Sequence, residues 1–123
     1  TIFVDIHAEA TSEKVALGWF LDGRVSCIFG THTHIQTADE RVLPRGTAYV
    51  TDLGMTGPYE SVIGREIGPV LKKFMTNMPY PFDVAEGDAR LSGAVVTIDT
   101  ETGRATGIRR FQVSEEKRAG GGD

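Results

Sequence analysis

A chain of 123 residues with 40% hydrophobic and 24% charged content carries enough apolar material for one globular domain or a piece of one. Its formal charge of −4, without a visible basic patch, argues against strong nucleic-acid binding, because nonspecific affinity for phosphate backbones rests on clustered Lys and Arg. There is no secretory signal and no apolar run near the roughly 18 residues of a membrane helix, and the lone Cys27 excludes an internal disulfide, so a cytoplasmic protein off the membrane is expected.

The chain opens on Thr1 rather than Met and enters an apolar run at once, as expected of a shortened chain or the second part of a longer protein. Residues 2–6, apolar and β-branched apart from Asp5, read as a buried strand of a parallel sheet. After the polar turn His7-Ala8-Glu9-Ala10-Thr11, Thr11 or Ser12 is expected to cap a helix. Glu13 lies in its first turn, Val15, Ala16, Trp19 and Phe20 at helical spacing, and Gly23 at its end. Residues 25–29 read as a second buried strand, in which Cys27 is an inert core residue. Strand, helix, strand crossovers leave their strands parallel, and neighbouring strands lie about 4.8 Å apart. His7 is then expected beside His32, at the sheet edge where open α/β folds bind ligands.

Gly30-Thr31-His32-Thr33-His34 follows the second strand, and in an extended backbone His32 and His34 would face one ligand together. Residues 35–40 are polar and looped. Arg41-Val42-Leu43 and residues 47–51 flank Pro44-Arg45-Gly46 as a hairpin. Residues 52–59, with Gly54, Gly57 and Pro58, form a shaped loop, equally readable as a tight turn or a substrate contact. A helix is expected over 66–77, with Ile67, Val70, Leu71, Phe74 and Met75 on one side and Pro79 and Pro81 beyond it. Residues 90–99 and 104–113 form a second hairpin, so the domain covers 1–113 and residues 114–123 are a polar, glycine-rich, flexible tail.

All of the histidines, His7, His32 and His34, thus lie at or just past strand ends, and neutral imidazole is the commonest ligand for transition metals. The plain alternative is solvated loop residues. A hydrolytic site with two metals also needs a bridging carboxylate. Of the nearby candidates, Asp5 is expected to alternate away from His7 or stay within the strand, and Glu9 to belong to the loop or helix start, so neither is identified as the bridge. No Ser-His-Asp or Cys-His arrangement and no phosphate-cradling Gly-Lys-Ser/Thr loop is present.

Val4-Asp5-Ile6-His7-Ala8-Glu9-Ala10-Thr11-Ser12-Glu13-Lys14, the stretch from Gly30 to Asp39, and Thr51-Asp52-Leu53-Gly54-Met55-Thr56-Gly57-Pro58 resemble the C-terminal half of the YmdB-like bacterial metallophosphoesterases. The resemblance runs from residue 1 to about 113. It implies an α/β fold that is part of a calcineurin-like sandwich, two mixed β-sheets flanked by helices. It also implies two metal ions, iron or manganese first and zinc as a further option, and hydrolysis of 2′,3′-cyclic nucleotides or other phosphodiesters through a metal-bound hydroxide. By motif, His7 and His32 would share one metal and His34 would bind the other. The family's N-terminal half supplies an Asp ligand, a Glu-Asn pair with the bridging carboxylate, and an Asn-His pair with the catalytic acid. None of those motifs occurs in this sequence, so that half is an expected partner and no catalytic residue is assigned here. A homo-oligomer is expected as well. Two other readings stand beside this one: a capsule-biosynthesis relative of the poly-γ-glutamate type, and a non-catalytic metal-binding or assembly module.

Overall fold

The computed structural model describes residues 1–115; of the expected tail, residues 116–123 lie outside the described residues. Strand β1 (Phe3–His7), helix α1 (Thr11–Leu21) and strand β2 (Cys27–Thr31) realise the expected strand, helix, strand unit. β1 and β2 pair in parallel, with Phe3 opposite Cys27 and His7 opposite Thr31. On the other side of β2 lies the parallel strand β4 (Ala48–Val50), and β3 (Arg41–Val42) closes the sheet antiparallel to β4. A second sheet takes β5 (Gly57–Pro58), β6 (Ala89–Ile98) and β7 (Ala105–Ser114) in that order, and helix α2 covers Ile67–Thr76. Among the described residues the architecture is therefore mixed α/β with two sheets and two helices. No helix among the described residues is long and apolar enough to cross a membrane.

The chain divides into two units, one of Thr1–Met55 with Ser92–Phe111, the other of Thr56–Leu91 with the residues from Gln112 on. In the first, strand alternation sorts side chains onto the two faces of the four-stranded sheet. Ile28, Leu43 and Tyr49 gather Val4, Ile6, Val15 and Leu21 on the helix side. Cys27, Ala48 and Ala105 gather Phe29, Val42, Val96 and Ile108 on the other. Burial pushes the Cys27 thiol up to about 11, so it stays protonated and inert.

Several local expectations change. Among the described residues β1 lies at the edge of its sheet rather than buried within it: paired with β2 on one side, it buries part of Val4 and Ile6 and exposes Phe3, Asp5 and His7. Helix α1 begins at Thr11 with Ala10 as its N-cap, so neither Thr11 nor Ser12 caps it. Lys14 and Gly18 are its buried residues and Val15 packs on the core as expected, while Trp19 and Phe20 are 50% and 69% exposed. The reason is steric: a Cβ on Gly18 would lie 2.7 Å from the Tyr49 ring, so the sheet's aromatic packs where the helix has no side chain. Trp19 and Phe20 lie instead under the guanidinium groups of Arg41 and Arg24, with 5.3 Å from cation to ring centroid in each case.

In the second unit α2 ends at Asn77, whose left-handed backbone sends its N–H to the Lys73 carbonyl. Of the apolar side expected for this helix only Val70 is buried, and Leu71, Phe74 and Met75 are exposed. Within this unit Ala85 is the other fully buried apolar residue among those described, so there is little for the helix to pack against. Arg65 and Lys73 stack on Phe82.

Gly30 is the tightest point of the first unit. A Cβ there would fall 1.7 Å from the Thr51 carbonyl oxygen and 2.9 Å from Lys14 Cδ, a clash with backbone that no rotamer relieves. Gly30→Ala is expected to destabilise folding by about 3 kcal/mol; urea unfolding measures it, and a midpoint within error of wild type would contradict the packing.

The loop at residues 37–39 is tied down by a carboxylate. Asp39 accepts from the Thr37 hydroxyl at 2.6 Å, the Thr51 N–H at 3.1 Å, and the Thr51 hydroxyl at close range. Burial alone would raise its pKa, but these hydrogen bonds outweigh burial and hold it below the ordinary carboxylate value. With the folded pKa depressed, the stabilisation is full above about pH 4 and is lost as pH falls through the folded value. Asp39→Asn is expected to lower stability at pH 7 and to flatten the acid decline between about pH 5 and pH 2. Thermal unfolding across that range checks it, and an unchanged slope would contradict the assignment.

Candidate metal centre

The β1–β2 register does most of the placing. Because His7 sits opposite Thr31, the next residue of the chain, His32, is delivered beside His7. His7 Nε2 and His32 Nδ1 lie 3.2 Å apart, with ring centroids 5.0 Å apart and planes at 83°. This is the convergence expected from the parallel crossover.

The expectation for Asp5 is corrected. Residues two apart on a strand share a side, so Asp5 lies on the His7 side and joins it through Thr31. The Thr31 hydroxyl donates to Asp5 Oδ1 at 3.0 Å. Its oxygen is then left to accept from His7 Nδ1, also at 3.0 Å. That arrangement puts the His7 proton on Nδ1 and turns the Nε2 lone pair toward His32, as an outer hydrogen bond fixes the tautomer of a ligating imidazole. Thr31 does not stand out in the sequence as a site residue, and Asp5, weighed there as a bridging carboxylate, is set aside although its spacing from His7 carries the signal.

Beyond Thr31 the backbone is not extended. His32 and His34 have φ values of +106° and +68°, in the left-handed region that non-glycine residues seldom adopt. The expected facing of His32 and His34 by strand alternation is therefore not how this segment is built. Two hydrogen bonds from the neighbouring strip of residues 53–55 hold it: the Leu53 N–H donates to the Gly30 carbonyl at 2.9 Å and the Met55 N–H to the His34 carbonyl at 3.1 Å. Gly54, at φ +79°, turns that strip where a side chain would crowd Gln36.

Beneath the segment lies Asp52. Its Oδ2 accepts from Lys14 Nζ at 3.0 Å and from the Thr33 N–H at 2.9 Å, and its Oδ1 from the Gly54 N–H at 2.8 Å. Burial works to raise the Asp52 pKa, but the Thr33, Gly54 and Lys14 bonds together hold it below the ordinary value. In the sequence Lys14 reads as an ordinary residue of the helix start; nothing local marks it, since its partner is far along the chain.

The structure thus brings His7 and His32 together and places His34 on the same loop. Among the described residues no group of three or more His, Cys, Asp and Glu side chains is arranged to hold a metal ion. Glu9 is exposed in the turn before α1.

The sequence model of a family described as YmdB-like protein matches residues 1–111. A relative from Bacillus subtilis (strain 168), named 2′,3′-cyclic-nucleotide 2′-phosphodiesterase, is 56% identical over 115 residues, covering 94% of this chain and 44% of that protein. A solved structure of a hypothetical protein from Thermus thermophilus is similar with a TM-score of 0.86 and 47% identity, over 92% of this chain and 44% of its own. A Mycoplasma pneumoniae structure described as a novel phosphatase gives a TM-score of 0.86 and 40% identity, over 90% and 40% respectively. The chain spans less than half the length of each of these proteins.

The Asp5, Thr31, His7 chain generates a direct test. In Thr31→Val the His7 tautomer loses its anchor, so nitrogen NMR is expected to show a mixture of Nδ1–H and Nε2–H forms where the parent shows Nδ1–H. A single Nδ1–H form in the variant would contradict the relay.

Proposed function

The chain belongs to the YmdB-like protein family, and from that premise we propose that it contributes the C-terminal part of a metal-dependent phosphodiesterase acting on 2′,3′-cyclic nucleotides or related phosphodiesters. Family membership selects this reading over the capsule-biosynthesis alternative. The observation that carries it is the His7 Nε2 to His32 Nδ1 separation of 3.2 Å at the C-terminal edge of parallel strands. Two imidazole nitrogens at about 2.0–2.1 Å from one ion, in adjacent tetrahedral or octahedral positions, stand about 2.9–3.4 Å apart, so the pair fits a shared metal. In this reading His7 and His32 hold one ion and His34 the other, iron or manganese being the first candidates. The remaining ligands, the bridging carboxylate and the acid come from a segment equivalent to the N-terminal half of the relatives, completing a calcineurin-like sandwich.

Ions so held would supply Lewis acidity to the phosphoryl oxygens and acidify a water. The chain's own contribution is orientation. Asp5 and Thr31 keep the His7 Nε2 lone pair aimed into the site, and the loop from Gly30 to His34 presents its imidazoles from a rigid sheet edge. A buried, protonated Cys27 accords with a cytoplasmic home for the protein.

A non-catalytic metal-binding module is the second reading, favoured by the lack of a three-ligand group among the described residues. Elemental analysis separates the two: the 123-residue chain alone is expected to retain a divalent ion weakly, the full-length protein to retain two. Tight binding of two ions by the chain alone would show that it holds ligands beyond its histidines.

Turnover of 2′,3′-cyclic AMP with excess manganese, with metal content and thermal unfolding, tests the ligand roles in full-length His7→Ala, His32→Ala and His34→Ala. Each is expected to lose about a hundredfold or more of activity while still folding. Normal turnover in the His32 and His34 variants would reject the assignment.

A further inference from the structure

We propose that the buried Lys14–Asp52 ion pair is a positioning device that holds the His32–His34 segment in its left-handed conformation. The inference rests on the reading of those histidines as ligands and extends it to residues that touch neither metal nor substrate. Both side chains are 1% exposed, and their contact at 3.0 Å is the sole ion pair at this depth among those described. A surface helix gains nothing from burying its lysine; the charge is accounted for by what Asp52 does next. The same Oδ2 that meets Lys14 accepts the Thr33 N–H, the peptide lying between two left-handed histidines. Strained backbone persists only where its surroundings over-determine it. Here Asp52 grips the middle of the strained segment, Met55 grips the His34 carbonyl, and Lys14 fixes Asp52.

The route of the lysine supports this role. Its stem passes over Gly30, where a Cβ would meet Lys14 Cδ at 2.9 Å, so the glycine of the Gly-Thr-His-Thr-His stretch leaves room for it. Nζ also lies 3.5 Å from Thr33 Oγ1. One helix residue therefore reaches the strand end, the loop and the Asp52 turn together. Lys14 and Asp52 are positioning residues, acting through Thr33.

The test compares full-length Lys14→Met, Asp52→Asn and the double variant with wild type, first without metal. Each single change leaves a buried group without its partner and lowers Tm. The double variant removes the charge on each side, so much of the lost Tm returns, as when buried ion pairs give way to neutral residues. Positioning and plain stabilisation then part company. Amide exchange at residues 31–35 in the double variant is expected to remain at least about tenfold faster than wild type, with β2 and β4 protected as before. Manganese affinity is expected to stay about 10–100-fold weaker, the usual effect of losing a group that orients a ligand. Wild-type exchange at residues 31–35, or acceleration spread evenly over β2 and β4, overturns the proposal, as does a double variant that fails to fold. If wild type takes up no manganese, the metal-site reading fails, while exchange in the metal-free proteins still decides the clamp.

Discussion

The parallel register of β1 on β2 is the constraint from which the candidate site follows. With His7 opposite Thr31, the Thr31 hydroxyl reaches His7 Nδ1, and the residue after Thr31 brings its imidazole to His7 Nε2. A slip by one position would turn Asp5 and His7 to the helix side, among Val15 and Leu21, and place Val4 and Ile6 at the open face. The register is enforced by that pattern: the helix-facing positions of β1 are Val4 and Ile6, and its outward positions include the polar Asp5 and His7. Core packing and site assembly thus use alternate residues of the same strand.

Placing a charged pair under the site has energetic consequences. Removing one member of a buried ion pair costs about 3–5 kcal/mol, whereas replacing the two by well-packed apolar residues is often neutral or stabilising. Lys14 and Asp52 are therefore poorly explained as a source of stability alone. Their value lies in geometry: the carboxylate ties down two backbone N–H groups, of Thr33 and Gly54, at the sheet edge. Gly30 belongs to the same arrangement, since it admits the Thr51 carbonyl and the lysine stem at once. The polar layer of Asp39, Thr37 and Thr51 continues it along the loop that follows the histidines.

Much of this is legible in the residues alone. Apolar runs and helical spacing locate β1, α1, β2, both hairpins and α2, and the handed parallel crossover brings His7 to His32. What escapes is long-range. Trp19 and Phe20 look like core residues on a helical wheel, but the inward face of α1 is chosen by Tyr49 packing on Gly18 and by Lys14 reaching Asp52. No window around Lys14 contains that partner. β1 reads as buried because its composition is apolar, yet burial depends on neighbours, and among the described residues β2 is the one strand paired with it. The left-handed turns at His32 and His34 have no local signature, being held by residues 52–55. Asp5 is the avoidable miss, since strand alternation by itself puts it on the His7 side.

Anomalous diffraction from crystals of the manganese-loaded full-length protein tests the central claim most directly. The shared-ligand reading requires one peak within about 2.0–2.3 Å of both His7 Nε2 and His32 Nδ1, with a second ion bound by His34. Two ions held without His7 and His32, or the imidazoles still in direct contact with no peak between them, would contradict it.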